Sequence, residues 1–137
     1  MGFTGRLGLT FTAKEIFDLV KDDLKEVELV LTSESIASVE SVTNISRYLQ
    51  SSGGKRLRPA LVLLAARLAG SVTPAVIRMA AIVELIHAAT LIHDDVIDMA
   101  ETRRGRPSSN VIWGNHTAVL SGDWLYMQAF QLALRER

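Results

Sequence analysis

An all-α fold is predicted from three features of the sequence. Apolar residues recur at helical rather than alternating spacing, aromatic residues make up only 6% of the chain, and β-branched residues do not alternate with polar ones. Hydrophobic residues at 48%, with 9 Gly and 3 Pro in 137 residues, give a folding composition and enough length for one domain or a piece of a larger one.

Thr12 with Glu15 makes a capping box, and Ile16, Phe17, Val20, Leu24, Val27 and Leu31 behind it predict one amphipathic helix. Ile36, Val39, Val42, Ile45 and Leu49 predict a second. Ser51-Ser52-Gly53-Gly54 breaks the pattern. Pro59 then suits the first turn of a third helix that runs to about Leu68, and the nearly all-apolar stretch Ala60–Ala66 predicts its burial. Gly70-Ser71 ends it. Thr73-Pro74 caps a fourth helix with no breaker until about Met99. That helix is roughly 39 Å long at 1.5 Å per residue. It is apolar on several sides, which places it at the centre. Gly105, Pro107 and Ser108-Ser109 form a loop, and a last helix begins between Asn110 and Ala118 and carries Trp124, Leu125, Phe130 and Leu134. It meets no Gly, Asn or Pro before Arg137. Five main helices and no sheet are expected, with the chain ending inside or at the edge of a helix and further sequence belonging after it.

Composition excludes several classes of function. Lys+Arg at 15 against Asp+Glu at 15 is no nucleic-acid binder's balance, so no nucleic-acid partner is expected. The absence of cysteine removes disulfide scaffolds, thiol catalysis and cysteine zinc sites, and fits a reducing compartment. No apolar run approaches the roughly 20 residues of a membrane span, and the start, MGFTGRLGLTFTAKE, lacks the apolar core of a secretory signal. A cytoplasmic protein without a transmembrane segment is expected.

The informative residues are polar ones on the central helix: Glu84, His87, His93, Asp94, Asp95 and Asp98. Asp94 and Asp98 share a face, about 6 Å apart along the axis, and His87 lies on the same stripe about 10 Å further back. Two carboxylates near a helix C-terminus repel each other and the helix dipole, so something positive should compensate. Arg103, Arg104 and Arg106 are one candidate. A divalent cation is the other, and an all-oxygen pair suits Mg²⁺. Arginines beside a metal make sense if the ligand is an anion such as a diphosphate, whose outer oxygens match the guanidinium fork. Gly53-Gly54-Lys55-Arg56-Leu57-Arg58-Pro59 adds a second basic cluster on a glycine-loosened turn before a helix. It lacks the Walker spacing, and HExxH and GxSxG are absent. The plainer alternatives are a solvated ion-pair patch at the acidic helix end, an ordinary charged turn at Lys55–Arg58, and a core histidine at His87. His93 faces away from the His87 stripe and reads as structural.

In order and spacing, GGKRLRP at Gly53–Pro59, ELIHAATLIHDDVIDMAETRRGRPS at Glu84–Ser108 and GDWLY at Gly122–Tyr126 resemble the trans-isoprenyl diphosphate synthases, the polyprenyl synthetase family. DDVID matches that family's first aspartate-rich motif, DDxxD. The resemblance covers all but about the first dozen residues. It implies the N-terminal portion of an isoprenoid-synthase helical bundle, with residues 1–137 forming the first part of a single polyprenyl synthetase domain whose C-terminal part, bearing a second aspartate motif, is absent. It implies head-to-tail condensation of isopentenyl diphosphate with an allylic diphosphate. Asp94 and Asp98 would hold Mg²⁺ carrying the allylic diphosphate, and Asp95 belongs to the same motif. Arg103 would contact the allylic diphosphate. Arg104, with Lys55, Arg58 and His87, would contact isopentenyl diphosphate. By the same resemblance Ala89 and Thr90, the fifth and fourth residues before Asp94, sit where large aromatics stop chain growth; Ile86, Val83 and Ile82 on the preceding turns are medium-sized and are either a lower floor or core. The small size of Ala89 and Thr90 implies a long product of about C30 to C50, of the kind that becomes a quinone side chain. A homodimer is expected, as is inactivity of the polypeptide alone. Two alternatives stay open: a non-catalytic helical subunit of a heteromeric synthase, and a short-chain C15–C20 synthase.

Overall fold

The computed structural model describes residues 3–4 and 10–136, with side chains from residue 10 onward. The remaining residues of the N-terminal stretch and Arg137, over which the signal-segment and chain-end expectations partly fall, lie outside the described residues. The element order is β1 (Phe3–Thr4), β2 (Thr10–Phe11), α1 (Ala13–Asp18), α2 (Lys21–Glu34), α3 (Glu40–Ser51), α4 (Leu57–Ala69), α5 (Pro74–Ile97), β3 (Thr102–Arg103), β4 (Arg106–Pro107), α6 (Ser109–Trp113) and α7 (Asn115–Leu134).

The all-α expectation holds, with corrections in detail. Thr12 forms the capping box: its Oγ1 accepts from the Glu15 N–H at 3.3 Å, and Glu15 accepts from the Thr12 N–H at 2.8 Å. The expected first helix breaks at Leu19–Val20. Val20 turns into the core while Leu19 stays exposed, and Asp22 and Asp23 favour a fresh helix N-terminus just beyond. Ile36 and Val39 fall in the connection before α3 rather than on it, and both are exposed. That connection is pinned by Thr43, whose hydroxyl accepts from the Ala37 N–H at 2.9 Å. The last helix, α7, starts at Asn115, inside the expected range, and is preceded across Gly114 (φ 82) by the short α6, which was not expected. The expectation of no sheet is overturned by two antiparallel two-stranded pairs, β1–β2 and β3–β4.

As expected from its composition, α5 is the hub. It packs chiefly on α7 and also on α4 and α2. Ala80, Ala81 and Ala89 of α5 face a core that includes Ala118, Leu125, Ala129 and Leu132 of α7, Val27 and Leu31 of α2, Ile45 of α3 and Leu63 of α4. Small side chains at this contact let the two longest helices approach closely. Among the described residues, α5 is the one helix long and apolar enough to cross a membrane. A core helix passes the same test, and α5 packs against α7, α4, α2 and α6 with 33% of its most apolar stretch buried.

The end of α5 sets up the site. Met99 adopts a left-handed conformation at φ 51; its N–H donates to the Val96 carbonyl at 3.2 Å, and the Ala100 N–H donates to the Asp95 carbonyl at 2.8 Å. This is the Schellman closure of a helix, with Met where glycine is usual. It reverses the chain into the β3–β4 hairpin. The hairpin turns through Arg104 (φ 52) and Gly105 (φ 74), the paired left-handed residues of a two-residue turn between right-twisted strands. Glycine meets that demand without strain, whereas arginine at φ 52 does so at a cost of about 1–2 kcal/mol.

Candidate functional site

Two charged regions lie on neighbouring parts of the molecule. The first is a basic cleft of about 420 Å³ lined by Gly53, Gly54, Lys55, Arg56, Leu57, Arg58, Glu84, His87 and Arg104. The four residues that the resemblance assigned to one anion, Lys55, Arg58, His87 and Arg104, come together here from three separate stretches of chain. Lys55 and Arg58 are exposed and flank the start of α4, and His87 is half-buried on α5. Arg104 reaches over from the hairpin tip and donates from Nη1 to the Gly53 carbonyl at 2.5 Å, which ties the two basic segments together.

The hairpin is latched at its base as well. The Tyr48 hydroxyl donates to the Pro107 carbonyl at 2.7 Å, the Arg106 guanidinium stacks over the Tyr48 ring at 4.1 Å, and Arg106 Nη1 donates to Ser51 Oγ at 3.2 Å. Of the three arginines after α5, Arg106 is therefore the structural one. His87 has its pKa lowered, by burial first and then by the charge of Arg58, with Arg104 and Arg103 adding to the effect and Glu84 opposing it. It is neutral at pH 7, so its ring nitrogens can donate one hydrogen bond and accept another.

The second region is the carboxylate end of α5. Asp95 is 3% exposed and grips Arg103 with both oxygens: Nε donates to Oδ2 at 2.8 Å and Nη2 to Oδ1 at 2.6 Å. That hydrogen bonding, together with the charges of Asp95, Asp94 and Asp98, outweighs burial and raises the Arg103 pKa. Arg103 keeps Nη1 for another acceptor. Asp94 and Asp98 are exposed, and among the described residues neither carboxylate forms a side-chain hydrogen bond or ion pair. So the arginines do not simply neutralise the acidic pair, as an ion-pair patch would require; the pairing falls on Asp95.

No group of three His, Cys, Asp or Glu side chains stands ready for a metal among the described residues. The donor set is two hard carboxylate oxygens, and Mg²⁺ ordinarily takes one or two carboxylates and completes its shell with water and phosphate oxygens. Asp94 and Asp98 fit that role.

His93 is structural, as expected. Its Nε2 donates to the Val119 carbonyl at 3.1 Å and lies 3.3 Å from Asp123 Oδ1. A Cβ at Gly122 would stand 2.4 Å from that nitrogen, so glycine is needed for the ring to seat against α7. Of the residues considered for chain length, Thr90, Ile86 and Val83 are half-buried, whereas Ala89 and Ile82 are buried in the core cluster. Sequence reasoning missed the part played by Arg56. Arg56 is held by Glu28 and Glu84 and so is not free for a ligand as Lys55 and Arg58 are. The signal was present in Glu84, an acid on a core helix three residues before His87.

Residues 39–136 match the polyprenyl synthetase family. The chain is 39% identical over 119 residues to the octaprenyl diphosphate synthase of Escherichia coli (strain K12), covering 87% of this chain and 37% of that protein. It is 50% identical over 93 residues to the geranylgeranyl diphosphate synthase of Methanosarcina mazei, covering 68% of this chain and 29% of that protein. The crystal structure of the Caulobacter crescentus polyprenyl synthase complexed with calcium and isoprenyl diphosphate superposes with a TM-score of 0.87 at 38% identity, over 90% of this chain and 38% of that one. The chain thus spans less than two-fifths of the length of these relatives.

Proposed function

This chain belongs to the polyprenyl synthetase family, and on that footing we propose that it supplies the first aspartate motif and the isopentenyl-diphosphate cleft of a trans-prenyltransferase. The reaction joins isopentenyl diphosphate to an allylic diphosphate. The single observation that carries this reading is the convergence of Lys55, Arg58, His87 and Arg104 on one cleft, beside a helix end whose exposed Asp94 and Asp98 have no ion-pair partner among the described residues.

The residues divide the work. Lys55, Arg58 and Arg104 bind the diphosphate of isopentenyl diphosphate by charge and hydrogen bonds, and neutral His87 accepts or donates at its edge. Arg103, aimed by Asp95, meets the allylic diphosphate. Asp94 and Asp98 would hold Mg²⁺, which when bound supplies positive charge against the negative charge that grows on the leaving diphosphate. The allylic C–O bond breaks to give diphosphate and an allylic cation, the double bond of isopentenyl diphosphate attacks that cation, and a proton leaves to the departing diphosphate. Apolar helix walls keep water from the cation.

The long-chain names among the relatives, such as octaprenyl, support a product of about C30 to C50. Small Thr90 and medium-sized Ile86 on the accessible face of α5 also support it. The geranylgeranyl diphosphate synthase match favours the shorter product as the second reading. We further propose a cytoplasmic homodimer, supported by Leu120, Met127, Phe130 and Leu134, which lie exposed along one side of α7. The test is to incubate the gene product carrying this chain with farnesyl diphosphate, isopentenyl diphosphate and Mg²⁺ and to chromatograph the products. Products of C30 or longer are expected. A C15 or C20 end product rejects the long-chain reading, and no Mg²⁺-dependent product rejects the activity.

A further inference from the structure

The basic cleft contains one acid. Glu84 lines it alongside Lys55, Arg58, His87 and Arg104, with its side chain only 12% exposed. A carboxylate at that position opposes any anion that enters. Arg56 meets it. Its Nη1 donates to Glu84 Oε1 at 3.0 Å, its Nη2 donates to Glu28 Oε2 at 3.3 Å, and its Nε is bonded to Glu28 as well. All three guanidinium nitrogens are therefore engaged by α2 and α5, and the side chain is 17% exposed. The backbone of Arg56 is left-handed at φ 50, directly before α4, and no side chain caps that helix start. This conformation is disfavoured for a residue with a Cβ. It draws Arg56 inward while its neighbours Lys55 and Arg58 stay exposed.

We propose that Arg56 is a positioning residue of the diphosphate cleft: it does not touch the anion, but masks the charge of Glu84 and ties the Gly53–Arg58 turn to α2 and α5, so that Lys55, Arg58 and Arg104 present a net positive surface. The proposal rests on the reading of this cleft as a diphosphate site. Two observations support the electrostatic half. The charge of Glu84 reaches the cleft, since it opposes the lowering of the His87 pKa that burial and Arg58 produce. Arg56 itself, against the cost of burial, is held in its charged form by hydrogen bonding to Glu28 and by the charges of Glu28 and Glu84.

The test is calorimetric titration of the gene product carrying this chain with isopentenyl diphosphate, with a thermal melt of every variant. Arg56→Met is expected to weaken binding about tenfold, the order set by one uncompensated charge close to an anion. Adding Glu84→Gln to Arg56→Met should restore most of that loss, because the repelling carboxylate is gone. A purely structural Arg56 would not be rescued in this way. If Arg56→Met binds as well as the unchanged chain, or if Glu84→Gln brings no recovery, the proposal is overturned while the cleft assignment stands. If the unchanged chain does not bind, or if Arg58→Met leaves binding unaltered, the cleft assignment fails and the proposal with it. Should Arg56→Met not fold, Arg56→Lys carries the test: it keeps the charge without the fork and should lose less than about threefold. A tenfold loss that Glu84→Gln does not relieve would overturn the masking role.

Discussion

The basic cleft and the carboxylate end of α5 are finished to different degrees. In the cleft the framework is satisfied: Arg56 is saturated by two acids, Arg104 is tied to the Gly53 carbonyl, and the hairpin is latched through Tyr48 and Arg106. Lys55, Arg58 and His87 project from that rigid support. At the end of α5 only the inner half is satisfied, where buried Asp95 holds Arg103. Asp94 and Asp98 stand exposed, like charges at the negative end of a helix dipole with no ion-pair partner among the described residues. Groups whose neighbours already satisfy them are preorganised for an anion, whereas a bare acidic pair gains stability only when a cation arrives.

The largest effect should come from the unfinished region. In the gene product carrying this chain, Asp94→Ala or Asp98→Ala is expected to lower the prenyl-transfer rate by about 10²–10³-fold, the scale for removing one electrostatic stabiliser of a leaving group. Asp22→Ala, remote on α2, should leave the rate within about twofold, as surface changes do. Equal losses from Asp22 and Asp94 would remove the site assignment.

Next in size is the pair that joins the regions. Asp95→Ala strips Arg103 of both its hydrogen bonds. Breaking a fully buried ion pair costs about 3–5 kcal/mol, but the Arg103 side chain is 26% exposed and can turn to water, so about 2–3 kcal/mol is expected in urea unfolding. A cost under about 0.5 kcal/mol would mean that the pair does not set the hairpin.

Much of this division was legible in the sequence. Spacing put Asp94, Asp98 and His87 on one stripe, and the capping box and Thr73-Pro74 marked two helix starts correctly. What could not be read was what the backbone does at unusual residues. Met99, Arg104 and Arg56 are left-handed without being glycine, and each redirects the chain at the site. Local propensity disfavours all three, and each is held by its surroundings: the helix-closing hydrogen bonds at Met99, the hairpin turn at Arg104, and the Glu28 and Glu84 contacts at Arg56. The hairpin followed from two of these residues and was missed for that reason. The role of Arg56 was hidden because three adjacent cations look alike until Glu28 and Glu84 select one of them.

Ala89 tests the reading of product length. Its burial means that Ala89→Phe must force a ring into a packed core, at an expected cost of about 1–3 kcal/mol. Thr90→Phe, on a half-buried position of the same helix, should cost less than Ala89→Phe and still shorten the product. If Ala89→Phe shortens the product at no cost in stability while Thr90→Phe leaves length unchanged, the assignment of faces is reversed.

The smallest effect belongs to His87 and is a pH dependence. Its pKa is lowered in the folded chain, by burial and then by Arg58. The unfolded chain, with an ordinary histidine pKa near about 6.5, therefore binds the proton first as pH falls. Stability is undiminished by this group above that pH. It declines as pH drops from there through the lowered folded value, and then levels off. A bound diphosphate brings negative charge to the cleft and favours the imidazolium, so the decline should shrink when isopentenyl diphosphate is present. The informative quantity is the difference in melting temperature between the unchanged chain and His87→Gln across pH 5 to 8, an interval of about three units chosen to bracket the ordinary histidine value. That difference should widen as pH falls without ligand and flatten with it. Parallel curves under both conditions would show that His87 does not sense the charge in the cleft.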